Sequence, residues 1–226
     1  MSAVVDELPP NAGAVGLLSS DEFTGAVEAF DRALLAATGS RVCILLCADP
    51  QGAARTGPQA LAYFRRLGAR PEIGSILSRA EASADALPER YDLLFLAGGS
   101  PLPLLETLRG TPAWTEALRR WRAGAGLAGA SAGAMGLCEN CLIPEEGADR
   151  PTRWSQGLGP LRGFGLAVHA RSRGKAWVAQ VASAAPCPVI AIDDYTGMVL
   201  TPGGAPELVG PGEAWVAAGS GSVSSV

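Results

Sequence analysis

The sequence has few of the residues that mark nucleic-acid-binding or membrane proteins. Its 226 residues include 18 Lys and Arg against 22 Asp and Glu, a formal net charge of −4. This weak acidic balance offers no basic surface for nucleic acid. No apolar run approaches the roughly 20 residues that a membrane-spanning helix needs. We therefore expect no nucleic-acid partner and no membrane partner.

Cysteine and histidine are scarce, with five cysteines and a single histidine. The initial segment MSAVVDELPPNAG lacks the basic region of a secretory signal. An odd number of cysteines without such a signal argues against a disulfide framework and indicates a cytoplasmic location. Cys138 and Cys141 form one CxxC motif, without the second pair or nearby histidines that a structural zinc site requires. We expect no metal and no cofactor.

Aromatic residues make up only 6% of the chain, although 48% of the residues are hydrophobic. This composition is typical of a globular protein, and the length suits one domain with a sizeable core. The prolines near the start and the Gly- and Ser-rich end predict flexible termini at residues 1–12 and 218–226. The sequence therefore predicts a single domain over residues 1–226.

Strand and helix patterns alternate along most of the chain. Five short apolar runs have the character of strands in a buried parallel sheet; they are residues 14–18, 41–48, 71–77, 91–99 and 126–131. Helical spacing of apolar residues separates them, at residues 22–38, 58–69 and 111–125. This order predicts an α/β fold, a three-layer α/β/α sandwich with a mostly parallel central sheet. Short β segments in the last third predict a small antiparallel β extension near the C-terminus.

The most specific local motif is Gly129-Ala130-Ser131-Ala132-Gly133, which fits G-x-S-x-G. An apolar strand precedes it and a short helix pattern follows, so the serine is expected on a sharp, strained strand-to-helix turn. Backbone N–H groups at the start of that helix favour developing negative charge. A Gly- and Ala-rich packing turn is the alternative interpretation of the same residues.

His169 is the base that a serine nucleophile at Ser131 would need, because a hydroxyl alone is a poor nucleophile. It follows the apolar segment 164–168, so we expect it at the carboxyl end of a strand. In α/β sheets that edge carries the active site. A lone histidine with a surface or core role is the alternative.

A carboxylate should orient the imidazole of such a pair. Four carboxyl groups between the serine and the histidine are candidates: Glu139, Glu145, Glu146 and Asp149. We favour Glu146, followed by Glu145 and then Asp149. A solvated acidic loop is the alternative for each of them.

Two further groups of residues complete the predicted site. The oxyanion hole needs two N–H donors, for which we expect Ala132 and a glycine of the pair Gly98-Gly99, with Gly99 favoured. Arginines near the histidine in sequence, chiefly Arg171 and Arg173, are candidates to bind a substrate carboxylate. Trp154 is a candidate wall of a subsite, with core packing as the alternative.

Five segments, in order along residues 14–217, resemble the serine peptidases that include peptidase E and cyanophycinase. These proteins share a fold with class I glutamine amidotransferase-like proteins. The matching segments are GLLSSDEFTGAVEAFDRALL, FLAGGSPLPLLETL, GLAGASAGAM, GLGPLRGFGLAVHARSRGK and VIAIDDYTGMVLTPGGAPELVG. The resemblance implies that Ser131 is the nucleophile and that His169, 38 positions later, is the catalytic histidine.

The chain departs from the family pattern at several places. Ser19-Ser20-Asp21 replaces a Gly-x-Gly-Glu-like turn, and Asp194 stands where the family usually has Glu. Ser100 follows the glycine pair where relatives often carry Asn or Asp, and residues 138–156 do not match peptidase E closely. The aspartyl specificity of peptidase E is therefore not carried over.

The sequence thus predicts a serine peptidase that hydrolyses short peptides through a Ser-His-Glu/Asp triad and an acyl-enzyme, as a monomer or homodimer. Two alternatives are a cyanophycinase-like hydrolase and a non-catalytic binding or sensing domain on the same fold. A general α/β-hydrolase would be longer, with its histidine further downstream. A glutamine amidotransferase would have a cysteine nucleophile and a His-x-Glu motif, whereas Arg171 stands two residues after His169.

Overall fold

Strands and helices alternate along the chain as the apolar pattern predicts. The computed structural model describes residues 8–143 and 152–217, and the backbone of residues 223–225. In this part of the chain the strands are β1 (Val15–Leu18), β2 (Arg41–Leu45), β3 (Arg70–Ile73), β4 (Leu93–Leu96), β5 (Gly126–Ala130), β6 (Cys138–Ile143), β7 (Arg153–Gln156), β8 (Leu161–Ala167), β9 (Val189–Ile192), β10 (Gly197–Leu200), β11 (Glu207–Val209), β12 (Ala214–Ala217) and β13 (Val223–Ser225). The α-helices there are α1 (Glu28–Thr38), α2 (Ala53–Arg66), α3 (Pro101–Leu108), α4 (Pro112–Arg122), α5 (Ala132–Leu137), α6 (Ala170–Arg173) and α7 (Lys175–Ser183).

The central sheet has seven strands in the order β11-β10-β1-β5-β4-β2-β3. Five strands, β1, β5, β4, β2 and β3, are parallel to one another. Strands β10 and β11 are antiparallel to their neighbours. The register between β1 and β5 places Leu18 opposite Ala130. Both strands therefore end at the same edge, where Ser19 and Ser131 follow them. The predicted α/β architecture with a mostly parallel central sheet is confirmed.

Helices cover both faces of this sheet because side chains alternate between the faces along each strand. In β4, Leu93 and Phe95 join a core cluster with side chains of α1 and α2. Leu94 and Leu96, which point the other way, join a second cluster with side chains of α3, α4 and α5. Strands buried on both faces explain why their sequences are almost entirely apolar.

A second sheet has six strands in the order β13-β12-β9-β8-β6-β7. It contributes to the core cluster that also contains side chains of α3, α4 and α5. Strands β6, β8 and β9 are parallel, and the remaining pairings are antiparallel. Helix α5 contacts strands of both sheets. The small antiparallel extension expected near the C-terminus is therefore part of a larger mixed sheet. Its parallel pairings join segments distant in sequence, which local alternation does not reveal.

The first helix begins later than its apolar spacing predicts. Asp21 and Phe23 have left-handed backbone φ angles of 60° and 63°, so a helix cannot run through them. The α-helix starts at Glu28. Residues 19–24 form a loop at the carboxyl edge of the central sheet, which contains Glu22, and a 3-10 turn at Gly25–Val27 leads into the helix.

The N-terminal lead-in was expected to be flexible over residues 1–12, and the structure describes it from Leu8 onward. Leu8 and Ala12 are buried in the larger core cluster. Within the described residues, no helix is long and apolar enough to cross a membrane.

Candidate active site

Ser131 occupies a strained turn between β5 and α5. Its backbone φ and ψ are 48° and −111°, a conformation that residues with a side chain rarely adopt. The flanking residues must be small, because a Cβ on Gly129 would lie 2.3 Å from the Gly133 carbonyl carbon. A Cβ on Gly133 would lie 2.1 Å from the carbonyl oxygen of Leu96. The G-x-S-x-G spacing thus allows β5 and α5 to meet closely at the serine.

His169 is hydrogen bonded to the serine, with 3.0 Å between its Nε2 and Ser131 Oγ. It follows β8 with a left-handed φ of 58° and precedes the short helix α6. The imidazole is 31% exposed, so a substrate can reach it. The structure therefore brings together the two side chains that the motif and the lone histidine singled out.

The histidine backbone is held by a buried serine at the end of β1. The His169 N–H donates to Ser19 Oγ at 2.8 Å. The same hydroxyl donates to the carbonyl oxygen of Ile192 at the end of β9, at 2.9 Å. The neighbouring Ser20 Oγ accepts the Tyr195 N–H at 2.9 Å. These bonds tie the edge of the central sheet to the edge of the second sheet.

Asp194 lies on the opposite side of the imidazole from the serine. Its Oδ1 is 3.3 Å from His169 Nδ1. Ser172 donates to the same carboxylate through its backbone N–H (2.9 Å) and its hydroxyl (3.1 Å). Burial raises the pKa of Asp194, but these hydrogen bonds from Ser172 and His169 together hold it below its usual value. The carboxylate is therefore ionised at neutral pH beside the imidazole.

The carboxylates that the sequence favoured for this place, Glu146 first, lie in a segment that the structure does not describe. Glu145, Glu146 and Asp149 lie outside the described residues, and Glu139 is exposed on β6. Asp194 lies after His169 in the sequence, outside the interval between the serine and the histidine in which the carboxylate was expected. The available signal was the segment IDDYT, in which Asp194 occupies the position where the family usually has Glu.

The turn after β4 lies beside Ser131, since a Cβ added to Gly98 would be 3.3 Å from the Ser131 Cβ. The Gly98 N–H is already used, because it donates to Glu22 Oε1 at 2.8 Å. The Gly99 N–H has no acceptor among the residues that the structure describes. Ala132 is the first residue of α5, and N–H groups there have no partner within the helix. Gly99 and Ala132, which follow Gly98 and Ser131 in the sequence, thus have N–H groups without an acceptor among the described residues.

A small cavity of about 170 Å³ lies beside this glycine turn. It is large enough for one small side chain or a terminal group. Its lining combines carboxylates with small residues: Glu22, Leu46, Asp49, Thr56, Ala97, Gly98 and Gly99.

The two arginines expected to bind a substrate carboxylate have partners within the protein. Arg171 Nη2 donates to Asp193 Oδ2 at 3.2 Å. The Arg173 guanidinium lies over the Trp177 ring, 4.8 Å from its centroid. Both follow His169 within four positions, yet neither guanidinium is held towards Ser131 by these contacts.

Trp154 packs on one face of the second sheet. Its ring covers Gly165 of β8, where an added Cβ would lie 2.4 Å from the indole. Its Nε1–H donates to the Val181 carbonyl oxygen at 3.0 Å. These contacts correspond to the core-packing alternative for this residue.

The cysteine pair of the CxxC motif, Cys138 and Cys141, is buried on β6. Within residues 8–143 and 152–217, no group of three or more His, Cys, Asp or Glu side chains has the arrangement to hold a metal ion.

Comparisons with known proteins bear on the family and the fold of this chain. The model of peptidase family S51 matches residues 58–206, more than half of the chain. A solved structure of a peptidase from an acI-B1 Actinobacterium is similar over 97% of this chain and 99% of that chain, with a TM-score of 0.79 and 22% identity. A putative peptidase E protein from Listeria monocytogenes EGD-e is similar over 88% of this chain and 99% of that chain, with a TM-score of 0.65 and 16% identity. No curated protein matches the chain. The structural likenesses concern the fold, whereas the family match shows that the chain belongs to peptidase family S51 and is a serine-type peptidase.

Proposed function

We propose that the protein hydrolyses short peptides with Ser131 as nucleophile, His169 as general base and Asp194 as the residue that orients the imidazole. The observation that carries this proposal is the 3.0 Å contact between Ser131 Oγ and His169 Nε2. This distance suits direct transfer of the hydroxyl proton to the imidazole. The contact joins a strained nucleophile turn to the only histidine of the sequence.

Ser131 Oγ attacks the carbonyl carbon of the scissile peptide bond while His169 Nε2 takes the hydroxyl proton. The negative charge that forms on the carbonyl oxygen is accepted by the N–H groups of Gly99 and Ala132. The C–N bond then breaks, and His169 returns the proton to the leaving amine. A water molecule, deprotonated by the same imidazole, attacks the acyl ester and releases the carboxylic acid and the serine.

Asp194 supports this cycle by accepting the Nδ1–H of His169. This hydrogen bond selects the tautomer in which Nε2 has a free lone pair for the serine proton. The ionised carboxylate also stabilises the imidazolium that forms during attack. The proposal assigns this role to Asp194 in place of Glu146 because of its 3.3 Å approach to Nδ1.

Short peptides are the proposed substrates because the chain belongs to peptidase family S51 and has a fold similar to that of a putative peptidase E protein. Preference for an acidic residue is not part of the proposal, since Arg171 and Arg173 are occupied by Asp193 and Trp177. We also propose a cytoplasmic location, which suits the five unpaired cysteine thiols.

The test combines an active-site label with a substrate survey. A fluorophosphonate probe should label the wild type on Ser131 and leave Ser131→Ala unlabelled. Digestion of a peptide library, read by mass spectrometry, should give cleavage of short peptides by the wild type only. Panels of Asp-X dipeptides, longer peptides and the Asp-Arg polymer distinguish dipeptidase, broader peptidase and cyanophycinase-like activity. Absence of labelling in a folded wild type would instead indicate a binding or sensing domain.

A further inference from the structure

Glu22 lies beside the proposed active site but outside its triad. Its Oε1 accepts the Gly98 N–H at 2.8 Å. A Cβ built on Gly98 would lie 2.5 Å from that oxygen and 3.3 Å from the Ser131 Cβ. Gly98 is therefore confined between the Glu22 carboxylate and the nucleophile.

We infer that Glu22 is a positioning residue, which holds the Gly98-Gly99 turn so that the Gly99 N–H stays available to the oxyanion. This inference rests on the proposed function. The turn has two adjacent N–H groups, and the carboxylate binds only the first of them. Without that bond, the Gly98 peptide would be held only through its neighbours Ala97 and Ser100, whose N–H groups donate to Leu45 and Ala48, and the direction of the Gly99 N–H would be less fixed. Donors that are already oriented before the reaction stabilise the transition state most effectively.

The loop that carries Glu22 is itself rigidly anchored. Asp21 and Phe23, on either side of it, have left-handed φ angles of 60° and 63°. Such strain persists only where the surrounding structure compensates for it. Phe23 supplies that compensation, because it is buried and its ring lies 5.5 Å from the ring of Phe95 on β4. The glycine turn follows the same strand, so the loop is fixed to β4 through both the aromatic contact and the Glu22 hydrogen bond.

The charge of Glu22 has no evident use in the reaction. Within the described residues, no Lys, Arg or His forms an ion pair with it. Asp49 lines the same cavity, and two carboxylates do not favour a negative charge on a nearby oxygen. Any stabilisation of the oxyanion by Glu22 therefore comes from its acceptor oxygen and not from its negative charge. This distinction separates it from a subsite that binds a cationic group of the substrate.

The experiment compares Glu22→Gln, which keeps an acceptor oxygen without charge, with Glu22→Met, which has similar size and no acceptor. We expect Glu22→Met to lower kcat by about 10- to 100-fold with KM changed by less than about threefold, as for loss of an interaction made only in the transition state. Glu22→Gln should keep kcat within about threefold of the wild type or raise it. The exposed carboxylate Glu72 of β3 provides the control, and Glu72→Gln should change neither constant.

A second readout uses a peptide aldehyde, whose hemiacetal with Ser131 places an oxygen in the oxyanion hole. Its inhibition constant should rise in Glu22→Met by the same factor as kcat falls, while binding of the product peptide stays unchanged. Circular dichroism and thermal unfolding establish that the variants are folded. If Glu22→Met does not fold, Glu22→Gln alone remains decisive, because a large loss of kcat in it contradicts the inference.

The inference is overturned if Glu22→Gln is as impaired as Glu22→Met, or if Glu22→Met retains the wild-type kcat. A rise in KM for Lys- or Arg-containing peptides, or for peptides with a free amino terminus, in Glu22→Gln would show that the charge binds substrate instead. These outcomes are measured on protein whose Ser131 reacts with the fluorophosphonate. They are therefore distinguishable from failure of the proposed function, in which Ser131 does not react at all.

Discussion

The backbone N–H of His169 donates to the hydroxyl of Ser19 at 2.8 Å, although 150 positions separate the two residues in the sequence. Ser19 follows β1 in the central sheet, and His169 follows β8 in the second sheet. While it accepts this hydrogen bond, the Ser19 hydroxyl also donates to the carbonyl oxygen of Ile192. A single buried side chain thus connects the sheet that carries the serine to the two strands that carry the histidine and Asp194.

Ser19→Ala should impair the reaction and the stability together. The change leaves the His169 N–H and the Ile192 carbonyl without their partner in a buried place. We expect a loss of about 1–3 kcal/mol in the free energy of unfolding and a fall of about 10- to 100-fold in kcat from the displaced imidazole. Urea unfolding and steady-state kinetics measure the two effects. Ser20→Ala is the matched control, since Ser20 bonds Tyr195 and not the histidine; an unchanged kcat in Ser19→Ala would contradict the role given to this hydroxyl.

Asp194→Asn should lower kcat strongly while the fold is retained. The amide has nearly the same shape but no longer provides the charge that favours the Nδ1–H tautomer of His169. Loss of the equivalent carboxylate in a Ser-His-Asp triad costs on the order of 10⁴-fold in kcat, and we expect a loss of about 10²- to 10⁴-fold here. Fluorophosphonate labelling rates and kcat provide the measurement. Glu146→Gln, measured in parallel, distinguishes the two assignments: a larger loss in Glu146→Gln than in Asp194→Asn would return the role to Glu146.

Asp31 should make the protein less stable as the pH rises towards neutrality. Burial raises its pKa to about 7, against the opposing effect of the Tyr63 hydroxyl, which donates to Oδ2 at 2.6 Å. Its Oδ1 is buried with no hydrogen-bond partner in the structure, which also favours the neutral acid. The folded protein therefore binds a proton that the unfolded chain releases near pH 4. The stabilisation is fully present below that pH and is lost as the pH rises through about 7.

The predicted decrease in unfolding free energy from pH 4 to 7 is on the order of 3 kcal/mol, at about 1.4 kcal/mol for each pH unit over which only the folded state keeps the proton. Asp31→Asn, which cannot titrate at this position, is the control for the pH dependence that all other groups contribute. The free energy of unfolding of the wild type, measured with urea, should therefore fall relative to that of Asp31→Asn over this pH range. A difference that is independent of pH would show that Asp31 is ionised in the folded state.

Gly133→Ala should destabilise the protein severely, although it adds a single methyl group. The new Cβ would lie 2.1 Å from the backbone oxygen of Leu96, and strand backbone cannot move aside as a flexible side chain can. We expect a loss of several kcal/mol, roughly 3 or more, as for other overpacked buried positions. Gly25→Ala is the control, because no atom lies within 4 Å of its added Cβ. Thermal unfolding of both variants measures the effect, and equal melting temperatures would contradict the close packing of β5 and α5.

The local features of this protein are determined by short stretches of sequence. The apolar runs predict the strands of the central sheet, because strands buried on both faces have no polar side. Thr111 and Pro112 predict the start of α4, where the Thr111 hydroxyl accepts the Trp114 N–H. The G-x-S-x-G motif and the single histidine likewise predict that Ser131 and His169 act together, because a serine nucleophile needs a basic side chain.

The tertiary structure alone decided which distant groups meet. Asp194, Ser19 and Glu22 reach the site because parallel strands from two sheets end at neighbouring edges, and strand order is not encoded in local periodicity. The same reason explains the parallel core of the second sheet, which pairs β6, β8 and β9 across many intervening residues. Hydrogen-bond partners also depend on distances of a few ångströms between loops, and these distances are set only when both core clusters are packed. The sequence could therefore name the serine and the histidine, while the groups that hold them became recognisable only in the folded chain.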